Sequence, residues 1–269
     1  MSEQVRVLDH GYVRLVETWG SDERLIEAAR MSTAKGFEGW GPFNCPECGH
    51  LPASDRINLQ GTPLGKNGCK KCRGRGYVDG DEKLLAFLWN NNHATPFEMG
   101  GLIVEVQAPI FVFREWHRHR TQSYNEMSAR YVPLPDVCYL PDANDAVARS
   151  EAASSKDKQA GLVEDAELLT LDAALSLLAE EADLLVMVED LYQRKLKAGF
   201  TKELARTHLT VSRYSRMRAS ANLRNWLGFL TLRADPKAQQ EIRQYAFAVA
   251  KLIEQAFPRT HGLWNAGRK

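Results

Sequence analysis

The run GLIVEVQAPIFVF, residues 101–113, constrains the fold more than any other stretch. Leu102, Val104 and Val106 fall on one face at a period of two, so the run reads as a core strand. Directly behind it comes EWHRHRTQSYNEMSARY, residues 115–131. Five of its first six side chains are ionisable: Glu115, His117, Arg118, His119 and Arg120. Asn125, Glu126, Ser128 and Arg130 follow between Tyr124 and Tyr131. The chain as a whole does not share this texture. Its net charge is +1 over 269 residues, with 44% hydrophobic and 26% charged side chains, an ordinary soluble globular balance. No global field draws it to nucleic acid or to an anionic membrane, so any attraction for anions is local.

The length suits one large domain, or one domain with a small module. No apolar run approaches a membrane span and MSEQVRVLDHGYVRLVE is not a signal peptide, so a cytoplasmic protein is expected. VRVLDHGYVRLV, residues 5–16, reads as a short hairpin turning at His10-Gly11. SDERLIEAARMS starts a helix capped by Ser21, and DEKLLAFLWNNNHATPFE a second that should stop before Thr95-Pro96. A Pro-rich loop to about Pro141 and a polar stretch to about Gly161 come next. A long amphipathic helix is expected over residues 164–198, with Gly199 as its C-terminal cap. Thr201 caps a further helix in TKELARTHLTVS; Asp235 caps the last long one, with Pro236 in its first turn. The mix is α+β, with helices in the majority.

Residues 36–80 break this pattern. Gly, Pro, Cys, Lys and Asn dominate and no periodicity persists, so the segment looks inserted, as a module over about residues 40–80. Cys45 and Cys48 form one CxxC pair, Cys69 and Cys72 another, with residues 49–68 between them. Two-residue spacing lets both thiolates of a pair reach one tetrahedral ion, so four cysteines make a closed, structural zinc site. His50 stands close by as a substitute ligand that the second pair makes unnecessary. The second pair, CKKCRGRG, also resembles the CxxCxGxG form of DnaJ-type chaperones over eight residues. The alternative is a pair of reduced thiols in a loop. Cys138, the fifth cysteine, has no neighbouring base or cation and reads as an inert thiol.

Arg118-His119-Arg120 taken alone would be solvated surface, or would pair with Glu115 and Glu126. Ser123, Asn125, Ser128 and Arg130 add hydroxyl, amide and guanidinium donors within one short segment. Guanidinium forks bind phosphate bidentately, so the stretch suits a phosphorylated ligand: nucleotide, flavin or RNA. A dinucleotide-binding glycine loop is not the means. GRGYVDG, residues 74–80, places its last glycine one residue late and lies in the cysteine segment.

RHRTQSYNEMSARY resembles the signature of the flavin-dependent thymidylate synthases, RHR followed by seven residues and a serine, here Arg118, His119, Arg120 and Ser128. LDHGYVRLVE, AARMS, HATPFE, QAPIFVFREWHRHR, NLRNWLGFLTLRAD and QEIRQYAFAVA extend the likeness in the family's order. It covers residues 1–269 apart from the cysteine insert and the polar stretch after Pro141. The resemblance implies an antiparallel-sheet core with long packed helices, here carrying a zinc-ribbon-like insert. It also implies a homotetramer with active sites at subunit interfaces. The implied reaction methylates dUMP at C5 to dTMP, with FAD, NADPH and methylenetetrahydrofolate.

By the same resemblance, Ser32, His93, Thr95, Glu98, Arg118, His119, Arg120, Glu126, Asn222, Leu223 and Arg224 would contact FAD. The dUMP set would be Glu115, Trp116, His117, Arg118, Glu126, Met127, Ser128, Ala129, Arg130, Arg206 and Arg233. Arg233 would hold the uracil edge and favour ionisation at N3, the catalytic role. Ser128, with no base beside it in sequence, reads as a nucleotide ligand rather than a nucleophile. Three positions depart from the family pattern: Gly228 replaces a side chain facing the flavin in some members, Glu115 replaces glutamine, and the cysteine insert is additional. The insert should hang from the fold as a small module. Two other readings stand beside this one: a different group installed at C5, or an RNA-binding protein built on the knuckle and the arginines.

Overall fold

The computed structural model describes residues 4–48, 69–73, 75–153 and 160–267; Gly49, His50 and Gly74 of the cysteine segment lie outside the described residues. The chain begins β1 (Gln4–Val7), β2 (Gly11–Trp19), α1 (Asp22–Arg30), β3 (Trp40–Asn44), β4 (Tyr77–Gly80) and α2 (Asp81–Asn90). It continues β5 (Gly101–Pro109), α3 (Ile110–Trp116), β6 (Ser123–Glu126), α4 (Ala143–Ala152), α5 (Leu171–Lys197) and α6 (Lys202–Ala205). It closes with β7 (Tyr214–Asn222), α7 (Leu223–Arg233), α8 (Gln240–Ala256) and α9 (Pro258–Ala266). The α+β class is as expected, with a five-stranded sheet ordered β1-β2-β5-β7-β6 and a separate β3-β4 ribbon. β1 pairs antiparallel with β2, and β6 with β7.

The apolar run of residues 101–113 is a strand only as far as Pro109. Proline brings no N–H to a ladder, and the chain turns into α3 at Ile110. The first amides of α3 find carbonyls elsewhere, Ile110 N bonding Arg213 O at 3.0 Å and Phe111 N bonding Val211 O at 3.0 Å. This turn delivers the cationic segment to the end of the sheet.

Two compact units emerge from the packing. The first comprises residues 1–17, 103–221 and 228–250. Val104, Val106 and Ala108 of β5 are wholly buried, as the period-two pattern requires. Ile242, Tyr245, Ala246 and Val249 form the buried stripe of α8 at helical spacing. Gly11 must lack a side chain, because a Cβ there would overlap the Tyr245 hydroxyl, which donates to Gln107 O at 2.8 Å. On the other sheet face Tyr12 and Arg14 both donate to Glu105, at 2.9 and 2.7 Å.

Three helix expectations need correction here. α5 starts at Leu171, seven residues after 164, where the Thr170 hydroxyl accepts from Ala173 N. Its end is as expected: Gly199 has φ +88°, Phe200 N bonds Lys195 O and Gly199 N bonds Leu196 O, a Schellman cap. Thr201 caps only the single turn of α6, which passes into a 3-10 turn at Arg206–His208. α8 starts at Gln240 rather than at Pro236. Asp235 instead accepts from Lys237 N at 2.8 Å and closes a turn containing Pro236.

The second unit comprises residues 18–102, 222–227 and 251–269. Ser21 caps α1 as expected. α2 ends at Asn90, ahead of a 3-10 turn at Thr95–Glu98. Leu223 N bonds Gly100 O at 2.7 Å and the Trp226 indole donates to Leu102 O at 3.0 Å, which fixes the start of α7. The described part of the cysteine segment contributes the β3-β4 ribbon to this unit. Trp40 of β3 donates to Glu23 at 2.7 Å and Gly41 N to Glu82 at 2.6 Å, so its ribbon is bonded to α1 and α2.

Candidate active site

Within the first unit, α3 ends in Trp116, whose wholly buried ring packs on Phe229 at 4.6 Å and near Tyr245 at 6.4 Å. Its indole donates to Gln122 at 3.0 Å, and the Tyr124 hydroxyl donates to His119 O at 2.6 Å and Trp116 O at 3.2 Å. Burial pushes the Tyr124 phenol up to about 12, so it stays a donor at neutral pH. These bonds hold the turn after α3 and leave His117, Arg118 and Arg120 exposed. Among the described residues neither Arg118 nor Arg120 pairs with a carboxylate. Trp116 itself belongs to the core, so any ligand contact it makes is through its backbone.

Glu115, which sequence alone offers as a partner to that triplet, pairs with Arg233 instead. Arg233 Nη1 donates to Glu115 Oε2 at 2.7 Å, Nη2 to Glu115 O at 2.9 Å, and Nε to His119 Nε2 at 2.8 Å. To accept there, His119 must be neutral with its proton on Nδ1. Burial and the adjacent Arg233 cation hold its pKa down at about 4. The three residues, 114 and 118 positions apart in sequence, form one network at the end of α7. A guanidinium has five N–H donors, so each Nη keeps one for a ligand. Glu115 Oε1 has no partner among the described residues and can accept. A cavity of about 830 Å³ opens at this pair, lined also by Arg149 and Arg243.

The depressed His119 pKa has a testable sign. Its folded value, about 4, lies below the unfolded 6.5, so the folded state prefers the neutral ring. The stability it contributes is complete above pH 6.5 and is lost as pH falls from about 6.5 to about 4. Urea midpoints measured across that window should fall further for the wild type than for His119→Gln, which keeps an acceptor for Arg233 but does not titrate. Parallel curves would refute this assignment.

β6 carries the chain to Glu126, and Met127 N bonds Arg216 O at 2.7 Å. Ser128 follows, its hydroxyl accepting from Arg130 N at 3.3 Å. Among the described residues no imidazole or carboxylate is hydrogen-bonded to that hydroxyl. Ala129 is buried while Glu126 and Arg130 are exposed. Arg130 pairs with Glu203 at 2.7 Å and shares with Arg206 a cavity of about 660 Å³. Met127 and Asn125 line another of about 400 Å³ with Arg216 and Arg218, two cations of β7 that sequence reading passed over. They alternate with Ser215, Met217 and Ala219, a strand pattern that could have flagged them.

The second unit gathers the other residues of interest. Glu98 and Arg224 form an ion pair at 2.5 Å. Ser32 lies in a 3-10 turn after α1, exposed, and His93 and Thr95 are exposed after α2. Asn222 caps α7, its Oδ1 accepting from Asn225 N at 2.9 Å, and Leu223 is buried beneath it.

Residues 14–259 match the family model described as thymidylate synthase complementing protein. The flavin-dependent thymidylate synthase of Thermosipho melanesiensis is 33% identical over 260 residues, 96% of this chain and 91% of the relative. The chain belongs to the flavin-dependent thymidylate synthase family. It is an enzyme of that family, similar also to the Anaplasma marginale member, at 32% identity over 97% of this chain and 74% of that one. A solved UMP/dUMP methylase from Streptomyces cacaoi, bound with 5-Br dUMP, shares its fold at a TM-score of 0.69 and 27% identity, covering 97% of each chain.

Two of the positions singled out in the sequence as expected departures take structural form. Gly228 is exposed within α7 and a Cβ there would meet nothing within 4 Å, so a side chain is missing where space exists. The cysteine insert brings four buried sulfurs within 4.8 Å of one another. Cys45 and Cys69 stand 3.6 Å apart, Cys48 and Cys72 3.5 Å. A tetrahedral ion with metal–sulfur bonds of ~2.3 Å has edges of roughly 3.8 Å, whereas a disulfide bond is ~2.05 Å. Gly76 N donates to Cys72 Sγ at 3.3 Å, the kind of amide bond that steadies a thiolate ligand. The donor set fits zinc. Arg75, a cation of this segment, is held bidentately by Asp79 at 2.7 and 3.0 Å.

Proposed function

We propose that this enzyme methylates dUMP at C5, taking the carbon from methylenetetrahydrofolate, with FAD as its flavin and NADPH as reductant. The Arg233–Glu115–His119 network carries the reading. A uracil edge presents O4 as acceptor beside N3–H as donor. Arg233 offers its two remaining N–H groups, and Glu115 Oε1 offers an acceptor next to them. Arg233, already fixed by three bonds, needs no reorganisation to stabilise negative charge developing on the pyrimidine. Glu126, Met127, Ser128, Ala129, Arg130 and Arg206, with His117 and Arg118, would hold the sugar and phosphate, where guanidinium forks and backbone amides suit an anion.

The exposed, carboxylate-free guanidinium groups of Arg118 and Arg120 fit a pyrophosphate, which supports FAD as the flavin. Ser32, His93, Thr95, Glu98, Asn222, Leu223 and Arg224 complete the set that would hold it. The carbon would arrive as a methylene and end as a methyl while C5 loses its proton, and flavin reduced by NADPH would supply the two electrons when bound.

A homotetramer agrees with α5, which buries only Ala174 and Tyr192 while leaving Leu184 54% exposed, Val186 70% and Met187 67%. Zinc at the four cysteines would be structural. A second reading, in which the ribonucleotide UMP is methylated, draws on the Streptomyces enzyme named for both substrates. Tritium release from C5-labelled dUMP, with FAD, NADPH and methylenetetrahydrofolate, tests both. The expected result is folate-dependent release with dTMP formed, at least tenfold faster than from labelled UMP. Equal or faster release from UMP would favour the second reading. No release from flavin-loaded protein would reject both.

A further inference from the structure

One buried carboxylate, Asp81, ties both ends of the cysteine ribbon to α1, beside the bonds that Trp40 and Gly41 make to Glu23 and Glu82. β4 ends at Gly80, and the next residue, Asp81, is wholly buried. Its Oδ2 accepts from Glu38 N at 2.7 Å and Gly39 N at 3.2 Å, at the entrance to β3. Its Oδ1 accepts from Arg30 Nε at 3.0 Å and Nη2 at 2.5 Å. Arg30 is the last residue of α1, and its carbonyl accepts from the Thr33 hydroxyl at 2.9 Å. Between Arg30 and Thr33 lies the 3-10 turn that carries Ser32. Both ends of the ribbon and the start of that turn thus meet at one ion pair.

The opposite end of the ribbon is closed by the cysteines. Cys45 N bonds Gly76 O at 2.8 Å, and Val78 of β4 packs against the four sulfurs. Near its base, Trp40 lies under the Arg259 guanidinium at 4.3 Å, and Arg259 in turn bonds Glu82 at 2.6 Å. A ribbon of two short strands is marginal by itself, so an ion at its tip would add to what keeps the Glu38 and Gly39 amides on Asp81.

We propose that a zinc ion at Cys45, Cys48, Cys69 and Cys72 braces the Ser32 turn, so that metal binding raises flavin affinity from outside the flavin contacts. The inference rests on the reading that Ser32 contacts FAD. Couplings of this kind are typically about 5–150-fold, and linkage makes them reciprocal, so FAD must tighten zinc by the same factor. The brace explains why the cysteine ribbon is bonded to the body at both of its ends.

The test begins with the zinc content of the purified full chain, expected at one ion per chain. FAD titrations by flavin fluorescence then compare zinc-loaded with chelator-stripped protein. With circular dichroism unchanged, a loss of FAD affinity of about tenfold, and faster zinc loss without FAD, are expected. Affinities equal within twofold, or no zinc bound after reconstitution, would overturn the brace. If stripping unfolds the protein, zinc-loaded Asp81→Asn, which disturbs the joint to Arg30, is compared instead at a temperature where circular dichroism shows it folded; unchanged FAD affinity there overturns it too. If zinc-loaded wild type binds no FAD at all, the flavin reading has failed, and that result is distinct from a zinc-independent affinity.

Discussion

Arg233→Lys is expected to slow thymidylate formation by about 10²–10³-fold, the cost of losing one preorganised donor to a developing oxyanion. Lysine keeps the charge but loses the planar fork. It cannot bond Glu115 Oε2, Glu115 O and His119 Nε2 at once, as Arg233 does at 2.7, 2.9 and 2.8 Å. The remaining cation would have no fixed direction. Because that loss is felt where charge develops, kcat should fall more than KM rises. Glu115→Gln separates geometry from charge. Its amide oxygen still accepts from Arg233 while the anion beside the cation disappears, so its rate should stay within about tenfold of wild type. The measurement is steady-state tritium release with dUMP varied at saturating folate. A loss under tenfold for Arg233→Lys would remove Arg233 from the catalytic role.

The strand core was legible in advance because β5 alternates, with Val104 and Val106 wholly buried and the charged Glu105 on the opposite face between them. Its end was not read, although Pro109 marks it, because Ile110, Phe111, Val112 and Phe113 prolong the apolar run into a helix. β7 hid for the opposite reason. Of its inward residues Ser215, Met217, Ala219 and Ala221 only Met217 is a large apolar side chain, so the alternation with Arg216 and Arg218 gives a weak signal. α8 was read four residues too early because Asp235-Pro236 is good cap chemistry, and here that chemistry closes a turn.

For the site, local motifs carried only part of the information. CxxC spacing is a short-range constraint, so the four cysteines were found from spacing and the structure gathers them. The Arg233 network joins residues more than a hundred positions apart, and no spacing rule foretells it. Only the family likeness pointed to Arg233. Even then Glu115, expected to stand where the family has glutamine, did not reveal its bond to Arg233 until the side chains were placed. The attachment of the insert was equally invisible, since Asp81 reads in sequence as an ordinary acidic residue in the first turn of a helix.

Asp81→Ala is expected to destabilise the second unit by about 3–5 kcal/mol, the range for breaking a buried ion pair from one side. Arg30, whose side chain is 15% exposed, would keep only Glu38, itself 57% exposed and a weak partner in water. Glu38 N and Gly39 N would lose their acceptor as well, and Gly80 at φ +65° already holds the chain in a conformation that depends on closure around Asp81. Asp81→Asn should recover less than half of the loss, because its amide nitrogen must face donors where an oxygen now accepts. Urea unfolding, followed together with amide exchange in residues 38–44, would separate a local opening of the ribbon from loss of the whole unit. A change under 1 kcal/mol in both would mean that Arg30 is held by water and Glu38 alone, and that Asp81 is not the joint between the insert and the enzyme.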